Sequence, residues 1–361
     1  MSRPTKAIID LQALRHNFEL AQSLAPHSST IPMVKANAYG HGAVEVARAL
    51  APIAPAFGVA SIEEAIDLRD NGITQPILLL EGIFSSDEVS LAAQNNFWLM
   101  VENQPQVEAI INATLARKIK VWLGMDTGMH RLGFQPNEIQ AAYDALSNSH
   151  NVSDDIVITS HFACADDLDS QATSEQITNF DLHLPKTNNK LSTSLANSAA
   201  ILAWPQAHRD WQRPGFMLYG SSPFVQPQEN ADQLQAVMSF ESAVISLRNI
   251  SAGESVGYTA NWTAQRDSTI ATVTVGYGDG YPRSAPNGTP VLINGVRCPL
   301  VGRVSMDMIT VDVTDLPQVA IGDKTVLWGP ELPVNEIASA CGTIGYELLT
   351  RMPARVPRVY S

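Results

Sequence analysis

The sequence predicts an α/β fold followed by a mostly β region: a (β/α)8 TIM-type barrel with a C-terminal domain built largely from strands. Short apolar runs alternate with helix-like segments from residue 31 to about residue 220. Beyond about residue 233 this alternation stops, and glycines and strand-like runs dominate. The length of 361 residues suits two domains of about 150 residues each. We therefore expect a barrel domain over residues 1–233 and a second domain over residues 234–361.

Eight short apolar runs are candidates for the barrel strands. In chain order they are IPMV, AFGVA, PILLL, FWLMV, IKVWLGM, DIVITS, KLSTSL and PGFMLYG. The segments between them have helical patterning, for example residues 61–71 and 136–146. The first of these begins with a serine N-cap signal and is followed by a stop signal at Gly72. Eight strand-then-helix units indicate a (β/α)8 barrel.

The second domain contains strand-like runs without a matching set of helices. The runs are AVISLR, STIATVTVGYGDG, TPVLING, MITVDV and KTVLWG. One late helix is predicted around Val334–Ala340. No linker separates the two regions, so we expect the domains to pack closely.

The composition excludes several classes of function. The net charge of −13 would repel a phosphate backbone, so nucleic acid is a poor partner. The three cysteines have no metal-ligand spacing, and an odd number argues against a disulfide scaffold, so no metal site is predicted. The N-terminal segment lacks a signal-peptide pattern, and no run approaches the ~18 apolar residues of a membrane helix. We expect a cytoplasmic protein with no membrane contact.

Polar residues follow the apolar runs, where barrels place their reactive groups. The candidates at this rim are Lys35, Arg131, His161, Asn197, Ser198 and Arg213. The set contains cations but few carboxylates, so the mouth should attract an anionic ligand. Asn197 and Ser198 open a helix after the seventh run, where barrels commonly bind phosphate. A plain helix cap is the alternative interpretation of these two residues.

Lys35 ends a buried run and precedes a glycine-containing loop. Desolvation at such a position lowers the pKa of a lysine and favours its free amine. A free amine can form a Schiff base with an aldehyde cofactor. Position alone does not decide this, because many strand-end lysines are ordinary surface residues and many histidines such as His161 are structural.

Nine motifs resemble, in order, those of alanine racemases. VKANAYGHG is similar to the attachment motif for pyridoxal 5'-phosphate (PLP) in that family. The other eight are DTGMHRLG, SHFACAD, LANSAA, RPGFMLYG, GYT, VGYGDGYPR, GRVSMDM and the final RVPR. Together they extend from the first strand to the C-terminus, so the resemblance covers nearly the whole chain.

The resemblance implies a PLP site in the barrel. Lys35 would hold the cofactor as an aldimine, and Arg213 would hydrogen-bond the pyridine nitrogen. His161 would lie between Arg213 and Tyr258. The residues implied around the cofactor and its phosphate are Tyr39, Asn197, Ser198, Gly215, Phe216 and Tyr346.

It also implies a homodimer with shared active sites. Arg131 would approach the substrate carboxylate, and Met306 would offer that group its backbone N–H. Four residues of the second domain would reach the neighbouring subunit, with Tyr277 and Asp307 near the access route: Tyr258, Tyr277, Met306 and Asp307. Without the resemblance, Tyr258 would be an ordinary strand tyrosine and Met306 a core methionine.

The implied reaction interconverts L-alanine and D-alanine with two opposed bases. Lysine would act on the hydrogen of D-alanine and tyrosine on that of L-alanine. Because a tyrosine has a reference pKa of about 10, Tyr258 needs help to act as a base. Arg213 and His161 would favour its phenolate. The product would serve cell-wall synthesis, or the enzyme would serve alanine catabolism.

Position 124 departs from the pattern of the family. Many members have a carbamylated lysine there that neutralises the arginine, whereas this chain has Gly124. If Arg131 lies inside the mouth, where water is scarce, it needs a counter-charge. We expect the missing side chain to leave a hole that a chloride ion fills, with Asp126 as the competing partner.

Three alternatives stay open. A broad-specificity PLP amino-acid racemase of the same fold would share the cofactor site and differ in pocket size. A barrel-type decarboxylase would place a cysteine and acidic residues near the substrate, and the GYT element argues against it. A non-catalytic cofactor-binding protein would need only the barrel, and the large second domain argues against that.

Overall fold

The computed structural model describes residues 3–188 and 190–361. The chain opens with strand β1 (Lys6–Ile9) and helix α1 (Leu11–Leu24). Asp10 caps this helix, because its carboxylate accepts the backbone N–H groups of Gln12 and Ala13 at 2.8 and 2.9 Å.

Eight parallel strands form the barrel. They are β2 (Ser29–Thr30), β3 (Phe57–Val59), β4 (Ile77–Leu79), β5 (Phe97–Val101), β6 (Val121–Gly124), β7 (Val157–Thr159), β8 (Ser192–Ser194) and β9 (Trp211–Gln212). Each pairs in parallel with its neighbours, in the order β2, β9, β8, β7, β6, β5, β4, β3. A parallel bridge between Met33 and Gly58 closes the ring, which confirms the predicted fold class.

Helices follow the strands around the barrel. After a short turn, α2 (Lys35–Tyr39), they are α3 (Ala43–Leu50), α4 (Ile62–Asp70), α5 (Glu88–Gln94), α6 (Gln104–Asn112), α7 (Ile139–Ser147), α8 (Ala172–Leu182) and α9 (Ser198–Ala203). The helix predicted over residues 61–71 is α4. The one predicted over residues 136–146 begins three residues later, because residues 135–138 form a turn in which the Glu138 N–H donates to the Gln135 carbonyl.

The predicted eighth strand was wrong. The run PGFMLYG forms a 3-10 helix, Phe216–Tyr219, and the strand is β9, just ahead of it. The ladder ends at the Pro214 carbonyl, which accepts the N–H of Met33 at 2.9 Å. The 3-10 helix is fully buried, and an apolar run cannot by itself distinguish a buried strand from a buried helix.

The second domain is mostly β, as predicted. Its strands are β10 (Met238–Ile250), β11 (Ser255–Val256), β12 (Trp262–Thr263), β13 (Ser268–Val273), β14 (Pro290–Ile293), β15 (Val296–Pro299), β16 (Ile309–Asp312), β17 (Lys324–Trp328) and β18 (Arg358–Tyr360). The predicted late helix is α10 (Val334–Ala340), and a further helix, α11 (Gly345–Thr350), was not predicted.

Strand β1 belongs to the sheet of the second domain and not to the barrel. It pairs with β10 antiparallel and with β18 parallel. The predicted assignment of residues 1–233 to the barrel therefore fails for Lys6–Ile9, and we keep the division at 233/234 as a proposal. Local pattern could not show this, since both partners of β1 lie more than 200 residues away in sequence.

The two domains share one hydrophobic core. Across their boundary the Arg358 guanidinium donates to the Gly40 carbonyl at 2.9 Å, and Asn335 donates to the Ser222 carbonyl at 2.8 Å. The close packing expected from the sequence is thus present, and it brings α11 against the turn α2. Within the described part of the chain, no helix is long and apolar enough to cross a membrane.

Candidate active site

Most of the predicted rim residues lie at the carboxyl ends of the barrel strands. Arg213 directly follows β9, His161 lies two residues after β7, and Ser198 lies four residues after β8. Lys35 follows Val34, whose N–H donates to the Gly58 carbonyl of β3 at 2.8 Å. Because the carboxyl ends of parallel barrel strands meet at one face, these side chains line a single mouth.

The environment of Lys35 favours the neutral form of its amine. Burial lowers the pKa of its ammonium group, and the positive charges of Arg131 and Arg213 lower it further. The carboxylates of Glu81 and Glu64 act in the opposite direction but do not reverse the shift. A lowered pKa favours the unprotonated amine, which can act as a nucleophile and as a base.

A left-handed turn follows Lys35. The four residues 36–39 have φ between 50° and 54°, a conformation that costs a non-glycine residue about 1 kcal/mol or more. Two hydrogen bonds hold the turn: the Ala36 N–H donates to Glu64 Oε1 at 2.7 Å, and Asn37 Oδ1 accepts the N–H of Ala43 at 2.8 Å. The ring of Tyr39, at the end of the turn, stacks on Tyr219 at 4.8 Å between centroids.

Tyr39, Ser198 and Gly215 meet in a small polar cradle. Ser198 Oγ accepts the N–H of Gly215 at 2.9 Å and that of Met217 at 3.3 Å. A Cβ atom built on Gly215 would lie only 2.6 Å from Tyr39 Oη, so glycine lets the phenol approach the backbone. Burial raises the pKa of Tyr39 to about 12, which keeps its hydroxyl a hydrogen-bond donor.

Tyr346 closes this cradle from the second domain. Its ring stacks on Phe216 with centroids 3.7 Å apart and lies 6.3 Å from the ring of Tyr39. Burial, first, and the neighbouring Tyr39 raise its pKa, so it too is a protonated phenol.

Asn197 has a different position: its Oδ1 accepts the N–H of Ala200 at 3.1 Å and caps α9. The structure therefore uses its side-chain oxygen for the helix.

Arg213 is buried and fixed by hydrogen bonds. Its Nη1 donates to Thr159 Oγ1 at 3.0 Å and to the hydroxyl of Ser194. Its Nη2 donates to the carbonyls of Ser160 and Leu195 at 2.7 and 3.2 Å. Burial lowers its pKa to about 10, against the opposing charge of a glutamate described below, so it stays a cation at neutral pH.

His161 lies against Arg213, with Nδ1 3.4 Å from Nη2. A guanidinium only donates, so Nδ1 accepts and the proton of the neutral ring is on Nε2. The residue is solvent-accessible at the open mouth, but protein crowds its ring. That desolvation, first, and the charges of Arg213, Arg131 and Lys35 lower its pKa to about 3. His161 is therefore neutral at physiological pH.

Arg131 does not lie in a dry interior, contrary to the expectation. It is exposed, in a loop after β6 that runs between Gly128 and Gly133. Asp126 is committed to the loop itself, because its carboxylate accepts the N–H groups of Gly128 and His130 at 3.0 Å and His130 Nδ1 at 2.9 Å. These bonds lower its pKa despite burial. It therefore does not pair with Arg131.

The hole expected beside Gly124 is filled. A Cβ atom built on Gly124 would overlap Glu102 Oε2 and lie 2.7 Å from Glu102 Cδ. The chloride prediction fails for this reason, since an anion placed there would meet a carboxyl group.

The expectation of few carboxylates at the mouth was also wrong, because Glu64, Glu81 and Glu102 all act on its cations. Glu81 and Glu102 directly follow the third and fourth apolar runs, so the rule that found Lys35 would have found them too.

The predicted residues of the second domain are all exposed. Tyr258 is 69% exposed, Met306 53% and Tyr277 39%. The N–H of Tyr277 donates to the Ser305 carbonyl at 3.0 Å, which places Tyr277 beside Met306, and Asp307 pairs with Arg355 at 2.7 Å. Within the described ranges no contact joins Tyr258 to Lys35 in one chain.

The sequence matches two family models from end to end. Residues 9–223 match the alanine racemase N-terminal domain, and residues 237–360 match the alanine racemase C-terminal domain. The chain is 50% identical over 359 residues to the catabolic alanine racemase of Pseudomonas aeruginosa, covering 99% of both chains.

Solved structures agree with this match. The crystal structure of the biosynthetic alanine racemase of Pseudomonas aeruginosa superposes with a TM-score of 0.95 at 48% identity, with 99% of each chain covered. The alanine racemase of Bartonella henselae, solved with covalently bound pyridoxal phosphate, superposes with a TM-score of 0.89 at 32% identity, with 99% of each chain covered.

Proposed function

The chain belongs to the alanine racemase family of isomerases, and on that premise we propose that it interconverts L-alanine and D-alanine with PLP attached to Lys35. The observation that carries the proposal is the mouth of the barrel, where an amine of lowered pKa lies among Arg213, His161 and Arg131, next to the cradle around Ser198.

The residues present fit PLP. A phosphate group needs hydrogen-bond donors in a space without side chains, and the cradle offers the Tyr39 and Tyr346 phenols and the Ser198 hydroxyl around Gly215. The backbone N–H of Phe216 is a further candidate donor. An aldehyde reacts with the neutral form of an amine, and the lowered pKa of Lys35 favours that form. A pyridine nitrogen needs a donor, and four N–H groups of Arg213 are already engaged, which leaves Nε.

Lys35 and Tyr258 are the two acid–base groups of the proposal. Racemisation removes the Cα hydrogen on one face and returns a proton on the other, so one group is needed on each side. Lys35 Nζ would act on the hydrogen of D-alanine and Tyr258 Oη on that of L-alanine. When bound, PLP supplies an electron sink for the pair released from the Cα–H bond. Arg213 and the His161 ring would favour the phenolate of Tyr258.

Arg131 would bind the substrate carboxylate, because it is exposed and its positive charge acts on Lys35, lowering the pKa of that residue. The backbone N–H of Met306 would donate to the same carboxylate. A guanidinium and an amide N–H together suit a planar carboxylate, which they hold so that Cα lies between the two bases.

We propose a homodimer in which each site is completed by its neighbour. Lys35 and Arg213 belong to the barrel, whereas Tyr258, Tyr277, Met306 and Asp307 form an exposed region on the second domain. A tyrosine that is 69% exposed in one chain is poorly placed to act as a base in water. Burial against the barrel of a second chain would give Tyr258 its site and cover this region.

Lys35→Ala tests the cofactor assignment. The variant should lose the absorbance of the lysine-linked cofactor near the visible edge and racemise alanine at less than about a thousandth of the wild-type rate, since covalent attachment and one base are both removed. Lys118→Ala, at an exposed lysine paired with Asp154, should change neither. Racemisation by Lys35→Ala without added amine would contradict the assignment.

The same assay decides the substrate, and two genetic tests decide the physiological role. Alanine should be racemised faster than lysine, arginine or serine, and comparable rates on all four would favour a broad-specificity racemase. Rescue of a strain that requires D-alanine would support a role in wall synthesis. Loss of growth on alanine as sole carbon source after gene deletion would support a catabolic one.

A further inference from the structure

Glu102 and Gly124 are matched neighbours at the mouth of the barrel. Strands β5 and β6 pair in parallel with Val101 opposite Leu123, so the two residues occupy the next positions at the same edge. The three nearest atoms to a Cβ atom built on Gly124 all belong to the Glu102 carboxyl group. Gly124 has no positive φ. Space for that carboxyl, and not backbone conformation, therefore explains the glycine.

The carboxyl group of Glu102 interacts electrostatically with the cations of the site. The charges of Arg213 and Arg131 lower its pKa, while burial, the larger effect, and Asp126 raise it, with a result of about 7. In return, Glu102 is the one acidic group in the described chain whose charge raises the pKa of the buried Arg213. No hydrogen bond from the described residues reaches its carboxylate oxygens, which leaves them available to the guanidinium groups.

We propose that Glu102 is a positioning residue whose carboxylate, seated in the space left by Gly124, is the counter-charge of the Arg213 and Arg131 guanidinium groups and orients the exposed Arg131. The part that concerns Arg131 rests on the proposed function, because Arg131 is there the group that binds the substrate carboxylate. Glu102 itself touches neither substrate nor cofactor and acts through the arginines.

The carboxylate form of Glu102 is the one that orients Arg131. As the pH falls through its pKa, the counter-charge is lost, and binding of alanine should weaken. His161 cannot cause this change, because its pKa of about 3 keeps it neutral throughout. The charged groups that act on Glu102 are Arg213, Arg131 and Asp126.

Glu102→Gln in the PLP-loaded enzyme tests the proposal. The Michaelis constant for alanine should rise about tenfold, the change expected when a charge-assisted contact is lost, while kcat falls less than threefold. The rise in the wild-type Michaelis constant at acid pH should disappear in the variant. Glu108→Gln, an exposed residue on α6, is the matched control and should behave as wild type.

Moving the carboxylate separates positioning from packing. Gly124→Asp combined with Glu102→Gly places a carboxyl group on the adjacent strand in nearly the same space, and it should restore at least half of the lost affinity for alanine. Gly124→Ala alone should lower the thermal midpoint of the cofactor-free chain. The same substitution in a Glu102→Ala background should lower it much less.

A third measurement needs no cofactor. Because the folded-state pKa of Glu102 is raised, its ionisation costs stability as the pH rises from about 4.5 to about 7. As the pH rises across that range, the thermal midpoint of cofactor-free Glu102→Gln should therefore increase relative to that of the wild type. Wild-type racemisation together with an unchanged Michaelis constant in Glu102→Gln would overturn this inference alone. A wild-type chain that binds PLP without racemising alanine would overturn the proposed function instead.

Discussion

The guanidinium of Arg213 shows how single residues set the chemistry of the mouth. It is 5% exposed and donates to two hydroxyl groups and two carbonyl groups of the adjacent strand ends. Leaving a buried cation without partners costs on the order of 3–5 kcal/mol, and here neutral acceptors provide most of the compensation. These acceptors are neutral and hold the group in place without adding a negative charge, so the Arg213 cation can still favour a phenolate nearby.

Tyr258→Phe should slow one direction of the reaction more than the other. Removing the phenol leaves Lys35 able to exchange the hydrogen of D-alanine, whereas the hydrogen of L-alanine loses its base. Exchange of the α-hydrogen with deuterated solvent should fall at least 100-fold for L-alanine, in keeping with the usual contribution of a general base.

Nuclear magnetic resonance of each enantiomer during deuterium exchange measures both rates. Absorbance of the bound cofactor should be unchanged and serves as the control for folding. Equal losses from the two enantiomers would refute the opposed-base assignment.

Sequence alone located Lys35, His161 and Arg213 at the mouth because residues after barrel strands face it. It missed Glu102, although the same rule applies, because a glutamate after a strand is usually solvated. The significance of Glu102 depends on Gly124, on the neighbouring strand and 22 positions away, and only the register of β5 and β6 brings the two together. Burial, which determines the pKa of Glu102, was likewise not visible in the pattern.

At the scale of elements, the two segments that flank the cradle are both irregular. The left-handed turn α2 presents Tyr39, and the 3-10 helix Phe216–Tyr219 presents Phe216 to Tyr346. Neither could be predicted from apolar spacing. The turn needs a tertiary hydrogen bond, which the Ala36 N–H donates to the Glu64 carboxylate, and the 3-10 helix has the composition of a buried strand. The regular elements were predictable because strand and helix periods recur around the barrel.

Asn197→Ala should reveal a helix cap and not a cofactor ligand. Loss of the bond from Asn197 Oδ1 to the N–H of Ala200 should lower the free energy of unfolding by about 1 kcal/mol. The midpoint of urea unfolding measures this loss.

Affinity for PLP should change less than threefold in Asn197→Ala, because the hydroxyl proposed to contact the PLP phosphate belongs to Ser198. Asn197→Asp keeps a capping oxygen and should retain stability. Ser198→Ala is the contrasting variant and should weaken PLP at least tenfold. A strong loss of PLP affinity in Asn197→Ala with unchanged stability would show that Asn197 contacts the cofactor.

At the scale of the whole molecule, the barrel and the second domain carry complementary halves of one chemistry. The barrel has the amine and the cations, and the second domain has the exposed phenol. Rigid packing of the domains through one core keeps Tyr258 at a fixed place on the surface. A second copy can therefore use it without rearrangement.

Mixing Lys35→Ala chains with Tyr258→Phe chains should restore activity to inactive proteins. In each mixed dimer one site contains both intact bases and the other contains neither. Random exchange of subunits should therefore recover about a quarter of the wild-type sites. Racemisation after mild dissociation and reassociation measures the recovery.

The control is each variant taken through the same cycle by itself, which should stay inactive. Native mass spectrometry identifies the mixed species. Mixed dimers that form but do not racemise alanine would show that each site is built from a single chain.

The position of β1 has a consequence for how the chain is made. The end of β1 forms backbone hydrogen bonds with a residue far along the chain. The Ser361 N–H donates to the Ile9 carbonyl, and the Leu11 N–H donates to the Ser361 carbonyl, both at 3.0 Å. During synthesis the barrel can assemble while the second domain is still absent, but β1 has neither β10 nor β18 to pair with. Pairing across such a long stretch of sequence is slow to form. Strand β1 must therefore remain unpaired until β10 and β18, more than 200 residues further along the chain, have been synthesised.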